Sequence, residues 1–440
     1  MRMNVEYWNT SVETGSRDEL EAGQLEDLKK TVDHALKTEF YRERLRAVGV
    51  ESGEDIRSLD DLKRIPFTTK DDLRGAYPYG LLSTELDEVV RIHVSSGTTG
   101  IPTVIYHTAD DLDSWTELSA RSIVATGASK RDVFQNMMTY GLFTGGLGLH
   151  YGAERVGMLV IPASSGNTKR QIKLMQDFST TTIHATPSYM LHLAARMQDD
   201  GIDPSSLSIK KAFVGAEPHS ENVRLKIQEL FGIDVYNSYG LSEMNGPAVA
   251  FECVHKDGMH VWEDAYIMEI VDEETGNPVS PGDGGELVFT TLKRQATPLL
   301  RYRTRDLSVL YDSRCECGRV HRRIGRIKGR TDDMLIINGV NIYPSQVEEA
   351  IMKLPEIGNN YQIVVEKSGA LDKLTVKTEV SEKIFSDDAR DMNSLRKRVV
   401  ESLKSSIIVS PVVEFHEPGI LPVQEGKAQR VFDMRKEEKV

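Results

Sequence analysis

The 440-residue sequence is poor in cysteine and tryptophan, with three of each, and only 7% of it is aromatic. An odd, small number of cysteines does not build a disulfide framework. No apolar run reaches the ~20 residues that a membrane-spanning helix needs. The first eight residues, Met-Arg-Met-Asn-Val-Glu-Tyr-Trp, have no signal-peptide core, so the cytoplasm is the expected compartment. Positive charge is in deficit: 54 Lys+Arg against 67 Asp+Glu leave a net charge of −13. That sets aside a chain whose partner is nucleic acid or a membrane surface, but not a local basic pocket for a phosphate ligand. Internal repeats, low-complexity tracts and a Walker A ending, Gly-Lys-Ser/Thr, are all missing. What is present is an ordinary folded composition, 39% hydrophobic and 28% charged. It is spread over more residues than one core accommodates, since single cores stop growing near ~250–300 residues.

The pattern along the chain changes four times. Residues 18–39 and 41–48 have apolar positions at helical spacing. Residues 89–94 and 103–106 are β-rich and enclose a Ser/Gly/Thr loop. Strand candidates at 132–138, 157–161, 182–185, 211–214 and 234–237 then alternate with helix candidates at 110–125, 168–178, 188–200 and 220–230. Such alternation predicts an α/β region with a largely parallel sheet. Residues 259–312 read as short strands divided by Gly/Pro/Asp turns, a small antiparallel sheet or distorted barrel. From residue 329 a small α+β unit follows, with helices at 345–353 and 391–405 and strands at 361–366, 374–380 and 412–416. The expected division is a large domain, 1–328, and a small mobile one, 329–440.

The most informative segment is Ser95-Ser96-Gly97-Thr98-Thr99-Gly100-Ile101-Pro102-Thr103. Its glycines let backbone amides approach an anion, and its hydroxyls add donors. Alone it reads equally well as a hairpin loop. It closely matches the Ser-Ser-Gly-Thr-Thr-Gly-x-Pro-Thr motif of the adenylate-forming superfamily, and further segments match in the same order. Gly215-Ala216-Glu217-Pro218 resembles the adenine-side loop, and Asn237-Ser238-Tyr239-Gly240-Leu241-Ser242-Glu243 contains a Tyr-Gly-x-Thr-Glu-like motif. Tyr302-Arg303-Thr304-Arg305-Asp306 resembles the Thr-Gly-Asp motif, Gly329-Arg330-Thr331-Asp332-Asp333 the hinge, and Gly426-Lys427-Ala428-Gln429-Arg430 the C-terminal lysine motif. Within the superfamily the chain most resembles phenylacetate-CoA ligases, through Gln135–Gly146, Ala185–Tyr189 and Asp333–Asn341. That branch also carries Arg at the position of Arg305 and is short for the superfamily.

The resemblance implies a reaction in two halves. A carboxylate attacks the α-phosphate of ATP, and the thiol of coenzyme A then displaces AMP. It implies that Lys427 places a positive charge beside the transferring phosphate and that Glu243 holds Mg²⁺. Ser95, Ser96, Gly97, Thr98, Thr99 and Gly100 would wrap the phosphates. Gly215, Ala216, Glu217, Pro218, Asn237, Ser238, Tyr239, Gly240 and Ser242 would line the nucleotide, with Asp306 and Arg330 on ribose or phosphate. Asp332 is the implied pivot for rotation of the small domain, and Gly339 a point where pantetheine passes the backbone. Tyr140 and Phe143, with Gly215, either wall an aryl-acid pocket or pack the core. The resemblance further implies a homodimer. The alternative function is adenylylation without coenzyme A, as in the deazaflavin-adenylylating synthetases that resemble these ligases.

The three cysteines fall in two clusters, Cys253-Val254-His255-Lys256-Asp257-Gly258-Met259-His260 and Cys315-Glu316-Cys317-Gly318. Cys253, Cys315 and Cys317 with one histidine make a Cys₃His set, which suits a closed, structural Zn²⁺. His260, His255 and His321 compete for the fourth place. His260 is preferred because Gly258-Met259-His260 resembles the Gly-Leu-His of zinc-bearing relatives.

Overall fold

In the computed structural model, residues 5–95, 102–368, 371–380, 389–422 and 429–436 are described. The first long helix, Arg17–Ala35, starts at a reciprocal cap in which Ser16 and Glu19 each serve the other's backbone N–H. The helix expected to run to residue 39 stops at Ala35. The hydroxyl of Thr38 accepts the N–H of Tyr41 and starts a second helix, Glu39–Arg46.

Five parallel strands lie side by side in the order Leu159–Ile161, Val133–Asn136, Thr182–Ala185, Lys211–Gly215 and Asp234–Leu241. Every residue of Thr182–Ala185 is buried, as expected of a strand covered by helices on both faces. The antiparallel strands do not stand apart as a small barrel. Gly246–Glu252, Met259–Val261, Arg323–Ile324, Tyr302–Tyr311, Gly284–Thr291 and Tyr266–Val271 continue the same hydrogen-bonded path. Sequence periodicity missed Gly246–Glu252 and placed the start of Tyr302–Tyr311 five residues late.

It also missed a helix, Gly145–Val156, that contains four glycines. The helix packs on Ala109–Ala125 so closely that a Cβ on Gly148 would lie 2.6 Å from the Trp115 ring. One on Gly152 would lie 2.5 Å from Ser119. The helix exists because two backbones meet there, against a local cost of about 1 kcal/mol per glycine relative to alanine.

The small C-terminal domain has its own apolar cluster, including Leu335, Ile337, Val347, Ile351, Ile363, Val376, Leu395, Val399 and Leu403. Its sheet runs Val412–His416, Leu371–Val380, Ile357–Ser368, Val431–Asp433. Helices Pro344–Ile351 and Ala389–Ile407 belong to the same unit. A hairpin, Leu335–Ile337 with Val340–Ile342, precedes them and turns on Asn338 and Gly339 at φ 50° and 83°. The domain touches the large one through buried Glu348, which accepts the N–H of Ser220 at 2.7 Å and the Tyr361 hydroxyl at 2.8 Å. Lys226 adds a bond to the carbonyl of Ile357. Among the described residues, no helix is long and apolar enough to cross a membrane.

Candidate active site

A pocket of about 230 Å³ lies at the C-terminal ends of Lys211–Gly215 and Asp234–Leu241. These two strands are parallel neighbours, with Gly215 opposite Ser238. Strand ends of this kind are where open α/β sheets bind ligands. The lining includes Ser95, Ala216, Glu217, Pro218, Asn237, Ser238, Tyr239, Gly240, Ser242, Glu243, Asp306 and Arg330, so motifs far apart in the chain converge. Ser96, Gly97, Thr98, Thr99, Gly100 and Lys427 lie outside the described residues.

Each wall has a local cause. Ala216 turns the chain out of its strand at φ 69°. Glu217 accepts the N–H of Ser188 at 2.7 Å, which ties the loop to the start of helix Pro187–Asp199. At Gly240 a Cβ would fall 1.5 Å from the carbonyl oxygen of Gly246, so only glycine allows the strand to bulge there. Just beyond, the short turn Ser242–Met244 carries Glu243, 5% exposed.

Asp306 is the electrostatic centre. Its carboxylate accepts the Tyr239 hydroxyl at 2.7 Å and Arg330 Nη1 at 2.8 Å. Burial first, and Asp306 next, push the Tyr239 hydroxyl well above its ordinary range, so it acts as a donor. Arg330 also binds Asp332, at 2.9 Å through Nε. Burial works against the Asp332 charge, but Arg330 and then Arg305 outweigh it and hold the carboxyl below its usual range. Arg305 takes φ 66°, the left-handed conformation that glycine prefers, and so keeps the backbone path of the usual Gly. Its guanidinium lies 3.4 Å from Asp332 and 3.6 Å from Asp71. In this arrangement Asp332, the expected pivot, is tied to the large domain through Arg305. Gly339 sits at an exposed turn and is not part of the nucleotide pocket. Two further clefts, of about 660 and 650 Å³, open along the domain boundary.

The segment expected from the sequence to hold the acid adjoins this pocket. Thr144 Oγ1 lies 3.3 Å from Ser242 Oγ, and the carbonyl of Leu142 accepts the N–H of Val94, just before Ser95. The segment carrying Tyr140 and Phe143 is thereby held against both the hairpin of Arg91–Val94 with Val104–His107 and the Glu243 turn. Phe143 is 44% exposed and so is not a core residue. Tyr140 is half-buried, with its hydroxyl 3.1 Å from His150 Nδ1, and burial pushes it up to about 12.

Four lining residues, Lys70, His219, Arg326 and Ile327, escaped the sequence reading. Lys70 faces Glu243 at 3.6 Å, and His219 lines the pocket as a buried ring pushed down to about 3, by burial and then by Arg326. His219 directly follows the adenine-side loop and was findable by adjacency. Lys70 lies 173 positions before Glu243, and only the fold brings it in.

The second constellation is the Cys/His set. Donor atoms of Cys253, His260, Cys315 and Cys317 all lie within 4.8 Å of one another. The Sγ atoms of Cys253 and Cys315 are 3.8 Å apart, and Cys317 Sγ is 3.3 Å from His260 Nε2. A tetrahedral ion with bonds of about 2.3 Å to sulfur spaces sulfurs by about 3.8 Å, so the donor set fits zinc. His260 donates its other nitrogen, Nδ1, to the carbonyl of His321 at 3.0 Å, which aims Nε2 into the cluster. His255 instead faces Glu316, and the ring of His321 faces Asp264 and the N–H of Glu263. Hydrogen bonds from Cys253, then Cys315, with His260 adding to them, hold the Cys317 thiol far below its ordinary range.

The family model described as AMP-binding enzyme matches residues 26–292, and that described as AMP-binding enzyme C-terminal domain matches 339–435. The phenylacetate-coenzyme A ligase of Thermus thermophilus is 46% identical over 98% of this chain and 100% of that protein. The enzyme of the same name from Escherichia coli is 44% identical over 96% of this chain and 97% of its own. Among solved structures, 2-hydroxyisobutyryl-CoA ligase in the postadenylation state superposes with TM-score 0.92 at 27% identity, covering 98% of this chain and 93% of that one. The same ligase with CoA in the thioesterification state gives 0.72 at 28% identity, over 98% of this chain and 93% of its own. The domain arrangement described here is thus the closer to the postadenylation one. The chain belongs to the AMP-binding enzyme family and, within it, to the group of phenylacetate-coenzyme A ligases.

Proposed function

We infer that this chain joins an arylacetic acid, with phenylacetate the first choice, to coenzyme A through an acyl-adenylate. The observation that carries the reading is the convergence of Ser95, Glu217, Tyr239, Glu243, Asp306 and Arg330 in one pocket. It is supported by 44–46% identity to phenylacetate-coenzyme A ligases over nearly the whole chain. In the first half-reaction the acid's carboxylate oxygen bonds to the α-phosphorus and pyrophosphate leaves. In the second, the thiol sulfur bonds to the acyl carbon and AMP leaves.

The protein's part is placement and charge. The adenine-side loop 215–218 and Tyr239 hold the base, and Asp306 with Arg330 holds the ribose side. Phe143 and Tyr140 wall the aryl group, and the glycines around them leave room for a ring. Glu243 would hold Mg²⁺, which would offset the phosphate charge. Lys427 supplies the positive charge for adenylation. The small domain, 329–440, turns about Asp332 relative to 1–328, withdrawing Lys427 and presenting the turn at Gly339 to the pantetheine arm. Release of the contacts of Asp332 with Arg305 and of Arg330 with Asp306 accompanies the turn. The Cys/His cluster holds a structural Zn²⁺ whose coordination is filled by protein. The enzyme works in the cytoplasm as a homodimer.

The test is a pyrophosphate-release screen over phenylacetate, indoleacetate, benzoate and short fatty acids, with and without coenzyme A. The expected result is fastest turnover with phenylacetate and AMP release that depends on coenzyme A. Pyrophosphate release unaffected by coenzyme A, with no thioester formed, refutes the ligase reading.

A further inference from the structure

We propose that Lys70 is a further catalytic residue. It is a phosphate-binding cation on the large domain that acts in both half-reactions, where Lys427 acts in one. The inference deepens the functional reading above and rests on it.

Lys70 lines the same pocket as Ser95, Glu243, Asp306 and Arg330. Its ammonium lies 3.6 Å from Glu243 Oε1, an ion pair too long for a hydrogen bond, so its donors stay available. The side chain is 27% exposed, against 6% for Glu243, so Lys70 stands on the open side of the pair. Arg330, by contrast, is already committed to Asp306 and Asp332.

The backbone under Lys70 is braced against the strand that carries Asp306. Thr68 donates its N–H to the carbonyl of Arg301 at 3.0 Å and accepts the N–H of Arg303 at 2.9 Å. Its hydroxyl donates to the carbonyl of Leu300 at 2.7 Å. Thr69 caps the turn that begins with Lys70, and Arg44 grips Asp72 at 3.2 Å. These contacts lie within the large domain, so rotation of the small domain leaves Lys70 in place.

A flexible ammonium suits this duty, because it can leave one anion for another without a fixed planar geometry. When a nucleotide enters, the ammonium passes to the non-bridging α-phosphate oxygens, and the Glu243 carboxylate it leaves would be free to hold Mg²⁺. In adenylation it offsets charge as the acyl C–O–P linkage forms and the bond from the α-phosphorus to pyrophosphate breaks. In thioester formation the thiol gives its proton to water, the C–S bond forms and the C–O bond to phosphate breaks. Lys70 then stabilises the AMP that departs.

The experiment compares Lys70→Met and Lys70→Arg with wild type in four measurements: equilibrium ATP binding, acid-dependent ATP–pyrophosphate exchange, thioester formation from supplied phenylacetyl-adenylate and coenzyme A, and melting temperature. Losing one charged contact to a developing phosphate charge should slow each half-reaction of Lys70→Met on the order of 10²-fold and weaken ATP binding about tenfold. Lys70→Arg should recover at least about tenfold of either rate, and both variants should melt with wild type. The proposal falls if Lys70→Met binds ATP like wild type or converts supplied adenylate at the wild-type rate. It also falls if melting drops and arginine restores nothing, which would mark a purely structural ion pair. Wild-type inactivity on arylacetates would sink the functional reading instead, and ATP binding, which needs no acid, still judges Lys70.

Discussion

At the Cys/His cluster the four donor side chains are no more than 5% exposed, and each points at the same centre. In the pocket lined by Tyr239 and Asp306, partly exposed cations pair with more deeply buried carboxylates, Lys70 with Glu243 and Arg330 with Asp306, and Arg305 pairs with Asp332 beside it. Both sites join residues far apart in sequence, yet they treat polar groups in opposite ways. The cluster is closed and locally pinned. Arg319 binds Glu13 at 2.7 Å and the carbonyl of Glu6, its charge faces Cys317, and Tyr7 donates to the Cys317 carbonyl. The N-terminal segment is thereby stitched to the cysteine turn. The pocket draws on both domains, through Asp306 and Arg330, and under the proposed rotation its ion pairs are the contacts to be exchanged. Burial without an opening serves stability, and partial exposure with alternative partners serves turnover.

Breaking the cluster should give the largest effect, on folding rather than chemistry. Purified protein should carry one zinc per chain. Cys315→Ser should lower the melting temperature by roughly 10 °C or more, since a structural metal is worth several kcal/mol and each kcal/mol moves a large domain by about 2–4 °C. Less than half an equivalent of zinc, with thiols titrating freely, would refute the metal. Next comes the opposite signature. Lys427→Ala should reduce adenylate formation on the order of 10²–10³-fold with melting unchanged, while thioester formation from supplied acyl-adenylate persists. Equal loss in both half-reactions would break the two-orientation scheme. The smallest effect concerns pH. His219 in the pocket has a folded pKa near 3, below the ordinary histidine value of about 6.5. The unfolded chain therefore protonates first. The stability is fully present above ~6.5 and declines as pH falls toward 3, by at most about 1.4 kcal/mol per pH unit for this group. His219→Gln should flatten that decline in acid-melting curves, and an unchanged slope would count against the assignment.

Much of the fold was legible where local and global preferences agree. The buried strands Thr182–Ala185 and Lys211–Gly215 match the strand candidates at 182–185 and 211–214, and helix Arg17–Ala35 starts one residue before the helical spacing read from 18. Helix Gly145–Val156 was not legible, because its glycines disfavour a helix locally and are there for the contact with Trp115 and Ser119. Strand Gly246–Glu252 was likewise hidden by its Gly-Pro start. At the site, the motif order exposed Glu243, Asp306, Arg330 and the adenine-side loop. Lys70 carries no local signal, since it reads as one more lysine after a Thr-Thr cap.

The histidine of the cluster shows the same division. The sequence alone offered three cysteines and one of three histidines as a candidate four-donor set, because ligand chemistry is a property of residue type. The tertiary structure brings His260, rather than His255 or His321, to the three thiols. Pairing of Met259–Val261 with Arg323–Ile324 puts it opposite Arg323, two residues past the His321 carbonyl that orients its ring. Likewise, motif order settled which phosphate chemistry the chain carries, whereas only folding showed that Asp306 anchors Tyr239 and Arg330 together and that Lys70 faces Glu243. Spacing along a chain carries residue identity and periodicity. It does not carry distances between segments hundreds of residues apart, which depend on how strands pair and domains pack.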